Sequence, residues 1–249
     1  MTAGPGGRLP GTAPQPGPAP QPPPALQQFL QRRPAPPAGE RCEMCTESIG
    51  DGHSHVVDLN SRNLICTCRA CFLLFTTEGA AGGRYRAVPD RYRYLPRFAI
   101  TGAQWEELQI PVGMAFFFRN SDLDRFVAFY PSPGGATESL LPLDTWQQVL
   151  AANPAAADLA DDVEALLLRR RDIKQEVPAG DTAAESNSSS RTGEANSAEA
   201  YLVPIDACYE LVGRVRMNWR GFHGGAEVWQ EIGGFFGRLR ERSGEAADE

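Results

Sequence analysis

Long hydrophobic runs are missing from this 249-residue sequence. Its longest apolar stretches, FLLF (residues 72–75) and MAFFF (residues 114–118), are far too short to cross a bilayer, which takes about 20 apolar residues. The opening stretch, MTAGPGGRLPGTAPQPGPAPQPPP, has no apolar core for a secretory signal. Arg32 and Arg33 lead into PAPPAGE rather than into the hydrophobic segment of a twin-arginine leader. These absences predict a cytoplasmic protein without membrane insertion. Histidine is scarce, with three in the chain, and no Ser/His/Asp or Cys/His set can be assembled as a nucleophilic centre. The glycine-rich PSPGGATES (residues 131–139) lacks the lysine and the strand-to-helix setting of a phosphate loop, and so reads as a turn. No catalytic activity is expected. A formal net charge of −7 argues against broad affinity for nucleic acid. There is no internal repeat.

Proline (21) and glycine (25) are plentiful but unevenly spread, so the ordered part must be shorter than the chain. Residues 1–38 read as a disordered Pro/Gly-rich tail, because they cannot bury enough apolar surface to offset their ordering entropy. Within it, ALQQFLQRR (residues 25–33) puts Leu26, Phe29 and Leu30 on one helical face, either a transient helix or a docking segment. A cysteine module occupies 39–79 and an Arg/Tyr-rich connector 80–98. Residues 99–171 form a mixed α/β segment. In it Thr101 caps a short helix over Gln104–Leu108, with Gln104 completing a capping box. VGMAFFFR and RFVAFY flank the turn NSDLD and carry apolar residues on both faces, as strands covered on both sides do. LDTWQQVLAAN and DLADDVEALLL read as helices separated at Pro154, with Asp158–Glu164 as a solvated helix face.

Residues 172–199 are serine- and acid-rich, without hydrophobic period, and read as a disordered insertion. Residues 200–242 form a helical hairpin. Ile205, Cys208, Tyr209, Val212, Val215 and Trp219 make one apolar stripe, and Val228, Trp229, Ile232, Phe235, Phe236 and Leu239 the other. Cys208 lies on the first stripe as packed core, and His223 sits in the glycine turn between the helices. An acidic tail covers 243–249. The fold class is α+β: a four-cysteine, treble-clef-like zinc finger, then a small mixed α/β domain closed by the C-terminal hairpin.

Five of the six cysteines and two of the histidines crowd into residues 40–72, ERCEMCTESIGDGHSHVVDLNSRNLICTCRACF. In a reducing compartment such clustering points to metal ligands rather than disulfides. Cys42 and Cys45 lie in a tight turn that aims both sulfurs at one ion. HSHVVDL and LICTC read as a hairpin turning through Asn60–Asn63, and Cys68 and Cys71 begin the short helix RACFLLFTT, where the helix dipole favours thiolates. Knuckle, hairpin, then helix is the order of a treble clef. Cys42, Cys45, Cys68 and Cys71 are therefore the expected ligands of a zinc ion. Cys66 shares a strand face with Cys68, and either replaces it or stands beside the site. His53 and His55 also share a face, with three readings: hydrogen bonds within the hairpin, a second or transient metal site, or the catalytic histidines of an HNH-type nuclease. The nuclease reading lacks its further ligand in FLLFTTEG. Four thiolates also suit a rubredoxin-like iron, but Thr46 and Phe72 stand where such knuckles usually carry glycine, which favours zinc.

The connector interleaves Arg84, Arg86, Arg91, Arg93 and Arg97 with Tyr85, Tyr92 and Tyr94. That composition suits a nucleic-acid surface, a protein interface, or a strand with an arginine-lined solvated face.

Taken together, RCEMC…HSHVVDL…LICTCRACFLLF, GRYRAVPDRYRYLP, IPVGMAFFFR…VAFYPSPGGATES and AYLVPIDACYELVGRVR…WRGFHGGAEVWQEI resemble an actinobacterial family of unknown function. Its members are typically encoded beside structural and maturation genes of high-affinity, oxygen-tolerant nickel–iron hydrogenases. The likeness covers about residues 40–170 and 200–242. It implies a role in assembling, maturing or partnering such a hydrogenase, with a hydrogenase subunit or maturation factor as the protein partner. On that footing the expected function is a zinc-binding accessory or adaptor protein. The alternatives are a rubredoxin-like electron-transfer protein and a metal carrier using Cys66, His53 and His55.

Overall fold

The computed structural model describes Met1 and residues 39–171, 198–221 and 224–244. The expectations for the 1–38 tail, for most of the 172–199 insertion, for His223 and for residues 245–249 lie outside the described residues.

Two sheets organise the rest. The smaller begins as the expected hairpin, β1 (Ser54–Asp58) against β2 (Asn63–Thr67), with His55 opposite Cys66. Helix α1 (Arg69–Thr76) follows at once. Strand β3 (Tyr85–Ala87) then pairs with the free edge of β1, so the order is β2-β1-β3.

The larger sheet is built from β4 (Arg93–Tyr94), β5 (Met114–Asn120), β6 (Arg125–Ser132), β7 (Gly135–Ser139), β8 (Glu164–Arg170) and β9 (Ala198–Pro204). Its order is β4-β9-β8-β5-β6-β7, and every pairing is antiparallel. Helices α2 (Gly102–Glu107), α3 (Leu143–Ala152), α4 (Ile205–Asn218) and α5 (Gly225–Gly244) complete the body. Side chains alternate between two cores along each central strand, as a two-residue period requires. Phe116, Leu167, Tyr201 and Val203 meet α4 and α5 through Cys208, Leu211, Val228 and Phe236. Phe117, Leu166, Leu168 and Leu202 face the other way, onto Trp105 of α2 and Trp146 of α3, with Phe117 stacked on Trp146 at 4.1 Å. Both faces are dry, which explains the near-continuous apolar strands. Cys208 is packed core, as expected.

Helix α2 has the anticipated capping box between Thr101 and Gln104. The turn between α4 and α5 demands glycine at 224. Its φ is +84°, and a Cβ there would meet Val228 Cγ1 at 2.8 Å and the Trp219 ring at 3.2 Å.

Several expectations need correction. DLADDVEALLL is not a helix: its second half is β8, a central strand, where Leu166, Leu167 and Leu168 are buried on alternating faces. A short apolar run among good helix formers does not reveal its period, and packing between two layers overrides propensity. Nor do the acids before it form a solvated face. Asp162 and Glu164 are buried, while Asp158 is exposed, and all three receive arginines. The strand reading of the connector holds in part, since it supplies β3 to one sheet and β4 to the other. Ala198 and Glu199, assigned to the insertion, open β9, and that strand precedes the helices in the segment 200–242. Helix α5 runs on into the expected acidic tail, to Gly244.

Arginines hold the small sheet against the large one. Asp162 accepts from Arg62 of the β1–β2 turn and from Arg86 of β3, each at 2.8 Å. Glu164 takes both ends of Arg91 at 2.8 and 2.6 Å, the fork geometry that arginine is built for. The connector's tyrosines are occupied as well: Arg240 and Arg242 of α5 lie over Tyr94 and Tyr92, at 3.6 and 4.0 Å from the ring centroids. Four of its arginines, Arg84, Arg86, Arg91 and Arg93, pair with carboxylates of the same chain, three of them buried. The Arg/Tyr composition thus contributes to fastening the molecule together.

Candidate metal centre

The four predicted ligands converge. Cys42 and Cys45 sit in a knuckle closed by backbone bonds from Cys42 N–H to the Glu47 carbonyl and from Thr46 N–H to the Cys42 carbonyl, both 2.8 Å. Thr46 turns the knuckle with a φ of +65°, a conformation that glycine adopts without cost and a β-branched residue does not. Glu43 ties the knuckle to β2. Its amide donates to the Cys66 carbonyl at 2.9 Å, and its carboxylate accepts from the Cys66 amide at 2.6 Å. Cys68 is the N-cap of α1, its sulfur accepting from the Cys71 amide at 3.5 Å. The expected helix-end placement of the second pair therefore holds.

All four sulfurs lie within 4.8 Å of one another. Cys45 and Cys68 are 3.7 Å apart. Thiolates around zinc at about 2.3 Å would be separated by about 3.8 Å in a tetrahedron, so this donor set fits a tetrahedral ion with little adjustment. Cys42 and Cys71 are buried and Cys45 is exposed, which leaves the site shielded on one side and open on the other.

The electrostatics agree. Burial works against ionisation of Cys42, but the amides of Cys68, Cys45 and Met44 outweigh it and bring the thiol down to about 6. Burial and the neighbouring sulfurs of Cys45, Cys68 and Cys42 push Cys71 up to about 12. At Cys45 the Glu47 amide pulls downward, yet contacts with Cys42 and Cys68 together with burial leave the pKa raised. The cluster accommodates one negative charge readily and resists further ones until a cation compensates them.

Cys66 does not join this set. It groups instead with His53 and His55, one ligand atom of each lying within 4.8 Å of the others. Burial raises its pKa, and the carboxylates of Glu43 and Glu40 add to the effect. His55 also reaches α4, with Nδ1 2.8 Å from an Asp206 carboxylate oxygen. That partner lies far along the chain and left no trace in sequence spacing. The carboxylates of Asp162 and Glu164 were equally hidden, because they resembled any acidic helix face.

The class of protein shown is a mixed α/β fold of two antiparallel sheets, with a compact four-thiol cluster that could form a zinc-finger-like site. The particular family follows from the sequence: the profile described as Family of unknown function (DUF5947) matches residues 41–243, and the chain belongs to that family. No curated protein and no solved structure matches it. Among the described residues, no helix is long and apolar enough to cross a membrane.

Proposed function

We propose that this protein is a cytoplasmic, non-catalytic adaptor whose finger is stapled by zinc at Cys42, Cys45, Cys68 and Cys71. The observation that carries the metal reading is the convergence of four thiols at near-tetrahedral spacing. The proposed partner is a subunit or maturation factor of a nickel–iron hydrogenase, and that context rests on the motif resemblance alone. The docking surface centres on α1, where Leu73 and Leu74 are 50% and 64% exposed beside the cluster. Two neighbouring leucines on the outside of a metal-stapled helix are a natural anchor for another protein.

Metal analysis and visible absorption of anaerobically purified, untagged protein test the staple. About one colourless zinc at the four thiols is the expected result, and a chain that retains no metal would refute it. Co-purification under native expression tests the partner: hydrogenase subunits or maturation factors should follow the wild type and be lost from Leu73→Asp/Leu74→Asp. Recovery of none with the wild type would end the adaptor reading.

One observation favours iron as a second reading. The Cys42–Cys45 knuckle reaches the left-handed turn at Thr46 without glycine, and the Glu47 amide acts on the Cys45 sulfur, the kind of contact that tunes iron–thiolate centres. The second cysteine pair, at a helix start rather than in a knuckle, keeps zinc ahead. Thiolate-to-iron absorption that bleaches on reduction would reverse that order.

A further inference from the structure

We propose that His53, His55 and Cys66 form a second metal site, with three protein ligands and an open fourth position for a borderline divalent ion such as zinc(II) or cobalt(II). The cluster is built by register: β1 and β2 put His55 directly opposite Cys66, and His53 follows two residues before His55, its ring 4.5 Å from that of His55. One ligand atom from each of the three falls within 4.8 Å of the others, and a contraction of about 1 Å would bring them to bonding geometry around one ion.

The nitrogens are prepared for that role. His53 Nδ1 faces two acceptors, the Gly50 carbonyl at 2.8 Å and a Glu40 carboxylate oxygen at 3.3 Å, so it carries the proton. The lone pair then lies on Nε2. That atom is buried without a hydrogen-bond partner, in a side chain only 8% exposed. An unsatisfied buried acceptor is costly, and an ion would satisfy it. His55 Nδ1 is engaged by Asp206 at 2.8 Å, and Asp206 is itself held by the Ala207 amide at 2.8 Å. A histidine that donates one nitrogen to a carboxylate while the other binds metal is a recurring arrangement, because the carboxylate fixes the tautomer and raises ligand basicity.

Asp206 is therefore a positioning residue supplied by the helical body to a ligand on the finger. Two nitrogens and one sulfur make a mixed set suited to a borderline ion. Three protein ligands leave room for water or a small anion, whereas four thiolates would fill every position of a tetrahedral ion. Binding replaces the proton on the Cys66 thiol with the ion and releases that proton to solvent. None of this depends on which metal the four thiols hold.

The test is a cobalt(II) titration of the full-length, untagged, reduced and metal-stripped protein, followed by visible absorption. Wild type is expected to bind two equivalents, the weaker one with a spectrum that shifts on adding azide. Cys66→Ser and His53→Gln should each bind one, retaining the four-thiolate spectrum. Asp206→Asn should weaken the second equivalent about 10- to 100-fold. Cys66→Ser is near-isosteric, and a far-UV circular dichroism spectrum matching wild type separates ligand loss from misfolding. Two equivalents retained in a folded Cys66→Ser would overturn the proposal, as would a single wild-type equivalent that this variant keeps. An azide-insensitive second equivalent would overturn the open position. If the four thiols bind nothing, one equivalent that depends on Cys66 still remains, so the two readings fail separately.

Discussion

The small sheet and the large sheet stay folded for different reasons. Around the large sheet lie two dry cores with Phe116, Phe117, Trp146, Leu167 and Leu202 essentially inaccessible to solvent. The small sheet contributes few such residues of its own, chiefly Val56 and Val57, together with Cys42 and Cys71 of the thiol cluster. A module of that size cannot offset its chain entropy by burial alone and needs a staple. Its second means of support is external, the arginines that run to Asp162 and Glu164. On the proposed metal reading, folding by burial and folding by ligation meet in one continuous chain.

The sharpest way to separate the two is to remove the metal. Cys71→Ser, or chelation of the wild type, should collapse amide-exchange protection in residues 41–76 while leaving β5, β8 and β9 protected. Structural zinc in small fingers contributes binding free energies of about 10–16 kcal/mol, the largest effect available here. The reverse experiment is Leu167→Ala, expected to lower global stability by about 2–5 kcal/mol in denaturant titration without reducing metal content.

A third comparison uses pH. Arg84 holds the buried Asp58 carboxyl well below the usual carboxylate range, against the opposing effect of burial. A depressed folded pKa contributes stability above the unfolded value, about 4, and loses it as pH falls through the folded one. Arg84→Met should therefore lower stability at neutral pH in denaturant titration, moderated because Arg84 is 45% exposed, and the difference from wild type should shrink in strong acid. Thiolate ligation gives way to protons earlier in the same titration, so metal release should precede loss of the Asp58 contribution. The smallest effect is at Thr46. Its left-handed φ predicts that Thr46→Gly gains about 1 kcal/mol or less in the metal-bound form, read as a small rise in melting temperature.

Much of the site was legible because its information is local. Cysteine spacing, the hairpin between the pairs and the helix start after Cys68 are short-range features, and each reappears in the structure. The capping box at Thr101 and the apolar stripes of α4 and α5 were readable for the same reason. Strand β8 was not, since the run of three leucines has the same composition in a helix and in a sandwiched strand, and only its neighbours decide. The arginines of the connector posed a similar problem. Their charge was obvious, but for Arg86, Arg91 and Arg93 whether it faced solvent or a carboxylate depended on residues more than 60 positions away, such as Glu164 for Arg91. The metal-carrier reading groups Cys66 with His53 and His55, and register adds that it stands opposite His55.

The separation between His55 and Asp206 has a consequence for biosynthesis. Every ligand of the four-thiol cluster has been made by Cys71, so the finger can close while most of the chain is still unsynthesised. The acids that dock it arrive later, Asp162 and Glu164 first and Asp206 last. At about 5–20 residues per second, translation keeps the finger closed but undocked for on the order of 10 s. During that interval His55 lacks its carboxylate, so on the proposed two-site reading the thiol cluster would load first and the histidine site would reach full affinity only after α4 has emerged.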